Sequence, residues 1–545
     1  MKQLLILLLL ICASFGARAQ SSAWTFALPV ADLNGAMAVA TGPDGNVYLT
    51  GRFTGSLDLG GTVLSSSQPG PCLFIAKVSP AGQVLRATKL EGATDVLPRA
   101  IAVDKNGNSY VTGSFLGTLS YAGGSTSSQL QSASGSAVFL LKCGANGQVR
   151  WVQQADGQQS DQYGGSYGTG VAVDPAGNSY ICGLVNGSLV RFGARTFGAH
   201  RRDGFVASYT SQGQMRWAQV LTHRSATTDY YQPGDVGADG AGSCYLLGHS
   251  AGGWTLGSTA LVIAGEADYL ARFDAGSGRP RWAKAIPGNG ARQALALDKL
   301  GDVCIGGGFS GTVAFDGITL TSDGDADGYV ARYDPTGDLD WVTALGGPNY
   351  DVVGDIAVDQ KTRKVFASGM MNYTSAGTNQ AFLATLNANG RVKHTERVGG
   401  PGTSSSGSLA LDDDNNVYST GIFTGSCHFG ALERNSTATQ AYLARYGSRQ
   451  HGRNAGNDDN DDFHTPALNL FPNPAQNQLT LRLTDPAGAG QATLYNHLGR
   501  PVASHAIQPT AADISFDTSA LPDGLYVLRV AAQGKTTTQM VTVQH

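Results

Sequence analysis

The sequence predicts an all-β protein built from a repeated unit, and three observations support this fold class. Gly accounts for 74 of the 545 residues and only four of the 41 acidic residues are Glu, so turn formers outnumber strong helix formers. Charged residues make up 14 %, while a hydrophobic content of 41 % is sufficient for a folded core. A similar phrase also recurs seven times along the chain. These features argue against a helical bundle, a coiled coil or a βαβ enzyme.

The first segment is typical of a secretory signal peptide. Lys2 precedes an apolar run from Leu4 to Ala13, and Ala17-Arg18-Ala19 forms a small-residue cleavage site. We therefore assign residues 1–19 to the signal peptide. No other stretch predicts a transmembrane span. The chain carries a formal net charge of −4 and lacks the basic stripe that nucleic-acid binding requires.

Residues 20–447 contain the repeated unit. The phrase Ile-Ala-Val-Asp104, a Gly-Asn turn and a strand beginning near Tyr110 illustrate it. Its counterparts are centred on Tyr48, Tyr180, Tyr245, Cys304, Phe366 and Tyr418. Each unit predicts four short strands joined by Gly-rich turns, which is the pattern of a propeller blade. We expect the repeated Asp to begin a turn by accepting backbone N–H groups.

The two ends of this region complement one another. A Trp lies four residues after the second turn Gly in four units, at Trp151, Trp217, Trp282 and Trp341. The last unit stops at Gly447 without such a strand, whereas the mature N-terminus supplies Trp24. We therefore predict a seven-bladed β-propeller closed by the mature N-terminal strand. The Trp side chains are expected to pack between blades.

The repeated phrases also carry a family resemblance. Gly346-Gly-Pro-Asn-Tyr-Asp351, followed by Asp355-Ile-Ala-Val-Asp359, resembles the bacterial β-propeller repeat known as the SBBP repeat. The resemblance covers roughly residues 22–447, with local departures such as Gly42 in place of the repeat Asp. It implies blades and transfers neither a ligand nor a catalytic residue.

The C-terminal region differs in character. Residues 448–466 form an acidic polar linker, and residues 467–545 return to alternating apolar strands that predict a small β-sandwich. The Pro-Asn-Pro sequence ending at Pro474 and the strand Leu521-Pro-Asp-Gly-Leu-Tyr526 resemble the type A sorting domain of the type IX (Por) secretion system of Bacteroidota. This resemblance implies the type IX machinery as a partner. It also implies delivery through the periplasm and outer membrane, either secreted or attached to the cell surface.

Six cysteines follow the signal peptide: Cys72, Cys143, Cys182, Cys244, Cys304 and Cys427. An even number in an exported protein permits three disulfides. Their wide spacing, and the apolar strands around Cys182 and Cys304, favour buried free thiols instead.

Two sets of residues are candidates for binding. Asp323, Asp325, Asp327 and Asp334 copy the ligand spacing of a Ca²⁺ loop, although two of them also fit ordinary repeat positions. The variable stretch Thr222–Pro233 contains His223, Arg224, Tyr230 and Tyr231, aromatic and polar groups suited to a ligand. A second variable stretch is Gln153–Thr169. Its Ser166 matches a nucleophile-elbow pattern but lacks the helix that the motif needs.

These observations lead to three functional hypotheses. We expect a secreted or cell-surface, non-catalytic propeller that binds a glycan or protein, or serves as a scaffold. The alternatives are an extracellular hydrolase or lyase with its site on one propeller face, and a structural spacer of the cell envelope. Ca²⁺ is the one cofactor that the sequence suggests. Carboxylates, or a His with a carboxylate, converging in one pocket would favour the enzyme.

Overall fold

The structure is a computed structural model that describes residues 23–30, 38–123, 126–132, 135–157, 165–199, 202–223, 231–256, 259–373, 379–447, 468–471, 475–483, 490–496, 500–507, 513–532 and 535–545. Within these residues the chain forms 41 strands and no helix, so the all-β prediction is confirmed. None of these residues forms a helix that could cross a membrane. The chain divides into two compact parts, Met1–Arg449 and Gln450–His545.

The first part contains strands β1 to β34. The strands up to the third unit are β1 (Ala23–Val30), β2 (Ala38–Thr41), β3 (Val47–Thr54), β4 (Ser56–Asp58), β5 (Val63–Ser65), β6 (Pro71–Val78), β7 (Val84–Val103), β8 (Ser109–Gly123), β9 (Thr126–Gln131), β10 (Ala137–Cys143), β11 (Val149–Gly157), β12 (Tyr167–Val173), β13 (Ser179–Val185), β14 (Leu189–Phe192), β15 (Arg195–Gly198), β16 (Asp203–Tyr209) and β17 (Met215–His223). The remaining strands are β18 (Tyr231–Ala238), β19 (Ser243–Leu256), β20 (Thr259–Asp274), β21 (Pro280–Ile286), β22 (Ala294–Leu297), β23 (Val303–Phe309), β24 (Thr312–Phe315), β25 (Ile318–Thr321), β26 (Asp327–Tyr333), β27 (Leu339–Leu345), β28 (Tyr350–Val358), β29 (Val365–Tyr373), β30 (Gln380–Leu386), β31 (Val392–Val398), β32 (Thr403–Leu411), β33 (Val417–Phe429) and β34 (Leu432–Gly447).

These strands form a repeating antiparallel unit of four, paired in chain order. The orders β12-β13-β16-β17, β22-β23-β26-β27 and β28-β29-β30-β31 are three clear instances. Second and third strands are the most buried, as in β23 and β26, where every residue is buried on both faces. The sequences of such strands are nearly continuous apolar runs because neighbouring units cover both of their faces.

Strand β7 differs from the prediction of separate short strands. It runs continuously from Val84 to Val103 and serves two units, since Leu90 pairs with β6 whereas Ile101 pairs with β8. The change of partner is accommodated by irregular pairing on both sides of Ala93. Bulges of this kind let one strand bend from one sheet into the next.

Hairpins that extend the second and third strands were not predicted. Two of these hairpins pair with the fourth strand of the preceding unit: Phe192 pairs with Ala155, and Thr255 pairs with Thr222. This pairing joins neighbouring units into sheets of ten and eight strands. These two hairpins therefore tie neighbouring units together and cover sheet edges that would otherwise stay open.

The first strands lie innermost, because each contacts the first strand of the next unit from β2 through β7, β12, β18, β22, β28 and β32. Strand β2 also contacts β32, and β1 pairs antiparallel with β34 from Ala23↔Gly447 to Val30↔Ala441. The N-terminal and C-terminal strands of the first part are therefore neighbours.

The six cysteines among the described residues are all buried and free. Cys182 and Cys244 lie within one apolar cluster with Val206 and Leu246. Burial raises the pKa of Cys143, Cys304 and Cys427 to about 11, so these thiols stay protonated. They act as small core side chains.

The second part contains β35 (Leu468–Phe471), β36 (Gln478–Leu483), β37 (Gly490–Tyr495), β38 (Pro501–Ile507), β39 (Asp513–Asp517), β40 (Gly524–Ala532) and β41 (Lys535–Val543). They form a three-stranded sheet, β35-β36-β39, and a four-stranded sheet, β38-β37-β40-β41. Leu479, Leu494, Phe516 and Leu528 belong to one core shared by both sheets. The alternation of the sequence thus produces two sheets packed on a single apolar layer.

Candidate functional site

The repeated Asp residues serve the turns between first and second strands. Asp104 Oδ1 accepts the N–H groups of Asn106 at 2.9 Å and Asn108 at 3.0 Å. Equivalent bonds are made by Asp174, Asp239, Asp298, Asp359 and Asp412. The turn role predicted from the sequence is confirmed, and these carboxylates are committed to the backbone.

The repeated Trp residues connect one unit to the next at the same end of the strands. Trp217 Nε1 donates to the Ala275 carbonyl at 3.0 Å, and its ring lies flat against Gly278. A Cβ on Gly278 would lie 2.5 Å from the ring, and Gly278 has a φ of +71°. Trp151, Trp282 and Trp341 make the same type of bond. Packing between units is therefore their role, as predicted.

The opposite end of the first strands is different, because five of them carry a β-bulge at the same place. The pairing shifts leave one unpaired residue in each strand, five residues before the turn Asp: Arg99, Thr169, Gly234, Gly354 and Gly407. Gln293 occupies this place just before β22. We call these six residues the bulge ring. Bulges re-aim side chains and are common beside functional sites, so the bulge ring is the candidate site.

The residue after the bulge ties neighbouring first strands together in three units. Asp235 Oδ2 accepts the Leu295 N–H at 3.0 Å, and Asp355 Oδ2 accepts the Leu409 N–H at 2.6 Å. In the last unit, Ser408 Oγ accepts the Val39 N–H at 3.3 Å. The three acceptors occupy one repeat position, so an inter-strand tie is the structural role of that position.

Asp235 and Asp355 are nevertheless unusual electrostatically. Both are deeply enclosed, although each keeps part of its surface accessible to solvent. Burial, with repulsion from Asp355, raises the pKa of Asp235 to about 7. Burial raises the pKa of Asp355 to about 6, against the opposing effects of the Leu409 and Ile356 N–H groups and the Arg292 charge. A pair of carboxyl groups that titrates near neutrality is a feature of functional sites.

Arg292 lies over the neighbouring unit. Its Nη1 donates to the Ser406 carbonyl at 3.3 Å, and a Cβ on Gly354 would lie 3.2 Å from its Cδ. The residue is exposed and adopts a φ of +53°, a conformation that is uncommon outside glycine. Gly354 therefore leaves room for the Arg292 side chain to reach Ser406.

A His–Asp pair lies behind the bulge ring and is sealed from solvent. His249 Nδ1 and Asp268 Oδ1 are 3.0 Å apart, with exposed fractions of 2 % and 0 %. Gln293 Nε2 donates to Asp268 Oδ1 at 3.1 Å, and the Tyr329 hydroxyl donates to Asp268 Oδ2 at 3.3 Å. A Cβ on Gly290 would lie 2.9 Å from the His249 ring, so the backbone covers the pair closely. A substrate has no access to this pair in the described structure.

The four residues of the predicted Ca²⁺ loop are not gathered at one point. Asp327 Oδ2 accepts the Asp323 N–H at 3.1 Å, and Asp325 lies between them on an exposed turn. Asp334 follows the far end of β26, where its Oδ1 accepts the Thr336 N–H at 2.8 Å. Strand β26 spans roughly 20 Å, at about 3.3 Å per residue, which separates Asp334 from the other three. Among the described residues no group of His, Cys, Asp or Glu has the arrangement of a metal site.

The second predicted set falls largely outside the described structure. Arg224 and Tyr230 lie outside the described residues. The backbone of His223 pairs with Trp254 at the end of β17, and that of Tyr231 pairs with Ser250 at the start of β18. Tyr231 thus leads into the same first strand that carries Gly234 of the bulge ring. Ser166 is buried, and its hydroxyl accepts the Asn186 N–H at 3.0 Å, which is a structural role.

The bulge ring was missed from the sequence alone. Its detection requires knowledge of strand pairing, because a bulge is defined by register. One signal was available: Asp235 and Asp355 replace the small residues Ala100, Gly170 and Ala294 at a repeat position. Elsewhere this position holds Ala, Gly or Ser, so two acids there indicate a local role beyond the ordinary repeat.

Two parts of the chain match known families. Residues 88–114 match the beta-propeller repeat family, and residues 469–544 match the secretion system C-terminal sorting domain. The chain therefore carries a β-propeller repeat at residues 88–114 and a secretion sorting domain at residues 469–544, as the motifs predicted. This tail indicates secretion and cell-surface localisation through the type IX system and implies interaction with its machinery.

Individual relatives are distant. An uncharacterized WD repeat-containing protein of Acanthamoeba polyphaga mimivirus is 26 % identical over 194 residues, which cover 31 % of this chain. The match spans only 13 % of the length of that relative. Among solved structures, hydrazine synthase of Kuenenia stuttgartiensis has a TM-score of 0.41 at 12 % identity, covering 71 % of this chain and 93 % of that chain. An ulvan lyase has the same score and identity, covering 74 % and 93 %. These distances carry no argument about activity.

Proposed function

We propose that the first part is a seven-bladed propeller closed by the mature N-terminal strand. The first part has seven first strands, namely β2, β7, β12, β18, β22, β28 and β32. Each begins a unit of four strands, and β1 supplies the fourth strand of the last unit. The pairing of β1 with β34 supports this arrangement. The Val39–Ser408 tie and the bond from the Thr41 hydroxyl to the Leu411 carbonyl join the first strands of the first and last units.

Within this architecture, the propeller is a non-catalytic binding module whose ligand, a glycan or a protein, contacts the bulge ring. The observation that carries this proposal is the contrast between the two ends of the first strands. At the turn end, Asp, Trp and Tyr side chains are committed to structural bonds. At the bulge end, five first strands leave one residue out of the strand pairing. Thr169 and Gln293 donate to the Pro233 carbonyl and to Asp268 there, whereas three of the unpaired positions are glycines and one is Arg99.

A blocking substitution tests this proposal. A Cβ at Gly354 would lie 3.2 Å from Arg292 Cδ and 3.6 Å from the Gly369 Cα, so a Gln at this position would add bulk to the bulge ring and displace the flexible Arg292 side chain. Gly354→Gln should therefore abolish binding of ligands found on glycan arrays or in pull-downs with the full-length chain, at an unchanged unfolding temperature.

Gly198→Gln is the matched control, since Gly198 has open space around it on the outer hairpin β14-β15. Equal binding by both variants would remove the bulge ring as the ligand site. Absence of any ligand for the wild-type chain would instead favour the structural spacer.

A second candidate, an extracellular hydrolase or lyase, is favoured by one observation. Asp235 and Asp355 interact electrostatically and titrate near neutrality, as acid–base pairs do. Their oxygens already accept backbone N–H groups, which favours the structural role. Degradation of a polysaccharide by the full-length chain that is lost in Asp355→Asn would establish the enzyme. Polysaccharide degradation that is retained in Asp355→Asn would show that Asp355 is not a catalytic residue.

A further inference from the structure

Arg99 is the one charged member of the bulge ring. It lies unpaired in the bulge between Pro98 and Ala100, and its side chain extends over the next unit. The guanidinium carbon lies 4.8 Å from the centre of the Tyr167 ring, within the range of a cation–π contact. Arg99 is therefore held by a ring face and keeps its N–H groups available to a ligand.

The surroundings of Arg99 provide no counter-charge. Among the residues that the structure describes, none supplies a carboxylate within salt-bridge distance of Arg99, whereas Arg52 on the neighbouring strand pairs with Asp95 at 2.8 Å. Arg99 is exposed at its surface, yet burial by surrounding protein lowers the pKa of its guanidinium. Arg99 is therefore a cation that is partly desolvated by the protein around it and still open to solvent. Such a cation is stabilised when an anion binds.

The groups beside Arg99 are of the hydrogen-bonding kind. The Tyr167 hydroxyl donates to Gln232 Oε1 at 3.3 Å, which fixes the ring beneath Arg99 and leaves the Gln232 amide N–H groups as donors. The other members of the bulge ring are Thr169, Gln293 and three glycines. A peptide site of high affinity would be expected to offer apolar side chains for an anchor, and none of the six residues of the bulge ring has a large apolar side chain.

We propose that Arg99 binds the carboxylate of an acidic saccharide at the bulge ring, with Tyr167 and Gln232 positioning the site. This assignment rests on the proposed binding function and specifies its ligand class. The guanidinium presents two parallel N–H groups, which match a carboxylate in a bidentate manner. Amide and hydroxyl groups nearby suit the hydroxyls of the sugar ring.

The test uses the full-length chain with oligogalacturonate and its methyl ester as probes. The wild-type chain should bind the acid form and lose affinity for the ester, because esterification removes the charge. Arg99→Ala should weaken binding of the acid form about tenfold to a hundredfold, the range for a charge-assisted hydrogen bond. Arg99→Lys should lie between the two, since it keeps the charge and loses the bidentate geometry.

Arg150→Ala is the matched control, because Arg150 is exposed beside the β10–β11 turn at the opposite end of the strands. Equal affinity of Arg99→Ala and Arg150→Ala for the acid form would overturn the assignment. Preference for polyglutamate over the saccharide would also overturn it, in favour of an acidic peptide. If neutral glycans bind and Gly354→Gln blocks them while Arg99→Ala does not, this inference fails and the proposed function stands. If no glycan or protein binds the wild-type chain, the proposed function itself fails.

Discussion

The Val39 N–H donates to Ser408 Oγ at 3.3 Å, although 369 positions separate the two residues in the sequence. The same tie links Leu295 to Asp235 and Leu409 to Asp355 in adjacent units. The contact between the first and last units therefore follows the rule that governs consecutive ones. A junction between chain ends that repeats an internal junction is what a closed ring requires.

The Ser408 tie can be measured directly. Ser408→Ala removes the acceptor and leaves the Val39 N–H without this partner, so the free energy of unfolding should fall by about 1 kcal/mol. Denaturant unfolding of the full-length chain measures it. Ser405→Ala is the control, because none of the side-chain hydrogen bonds described for this region involves the Ser405 hydroxyl, and it should change the midpoint little. Equal midpoints for the two variants would argue against the tie.

A substitution of Trp24 in β1 tests whether the N-terminal strand completes the last blade. By its place in the repeat it corresponds to Trp151 and Trp217, and Gly82, with a φ of +84°, corresponds to their Gly partners. Trp24→Ala should cost on the order of 3 kcal/mol, as expected for removal of a large packed side chain. The unfolding temperature measures this loss. Trp24→Phe should lose less stability than Trp24→Ala. An unchanged unfolding temperature in Trp24→Ala would show that the N-terminal strand does not complete a blade.

The Trp–Gly contact between units has two separable costs. Gly278→Ala should destabilise the chain because Ala disfavours a φ of +71° and because its Cβ would collide with the Trp217 ring. Gly265→Ala is the control, since Gly265 has a φ of +85° but open space around it. Urea midpoints should fall further for Gly278→Ala, with a difference on the order of 1–2 kcal/mol from the contact. Equal losses of stability in Gly278→Ala and Gly265→Ala would mean that backbone conformation alone accounts for the cost, with no contribution from the Trp217 contact.

The sorting domain makes a prediction about delivery. Deletion of Leu468–His545 should stop surface delivery and leave the propeller in the periplasm, which cell fractionation and immunoblotting would reveal. Fusion of residues 467–545 to an unrelated exported protein is the complementary experiment and should direct that protein to the surface. Unchanged delivery after the deletion would contradict the assignment of the tail.

Sequence reasoning succeeded where one residue determines its local structure. Asp104 and its counterparts predict their turns because an Asp side chain bonds to backbone groups two and four residues ahead. The same holds for Trp151, Trp217, Trp282 and Trp341, each of which lies four residues after a turn Gly in its own unit. Arg99 could not be recognised in this way, because the role proposed for it depends on a bulge in strand pairing and on Tyr167 in the next unit. The His249–Asp268 pair was missed for the same reason, since its two members lie on different strands.

The raised pKa values of Asp235 and Asp355 predict an unusual pH dependence. In the unfolded chain both acids ionise near pH 4, whereas in the folded chain they hold their protons until about pH 7 and pH 6. The folded state therefore binds more protons between these limits, and the contribution of the two acids to stability falls as pH rises from about 4 to 7. For Asp355 the loss of folding free energy should be roughly 2–3 kcal/mol, and it should be complete above about pH 6.

Urea midpoints of the wild-type chain and of Asp355→Asn at pH 5 and pH 8 measure this contribution. The amide does not ionise, so the variant should lose less stability than the wild-type chain between the two pH values. An identical pH dependence would mean that Asp355 is already ionised at pH 5, which would also remove the observation that favours an enzyme.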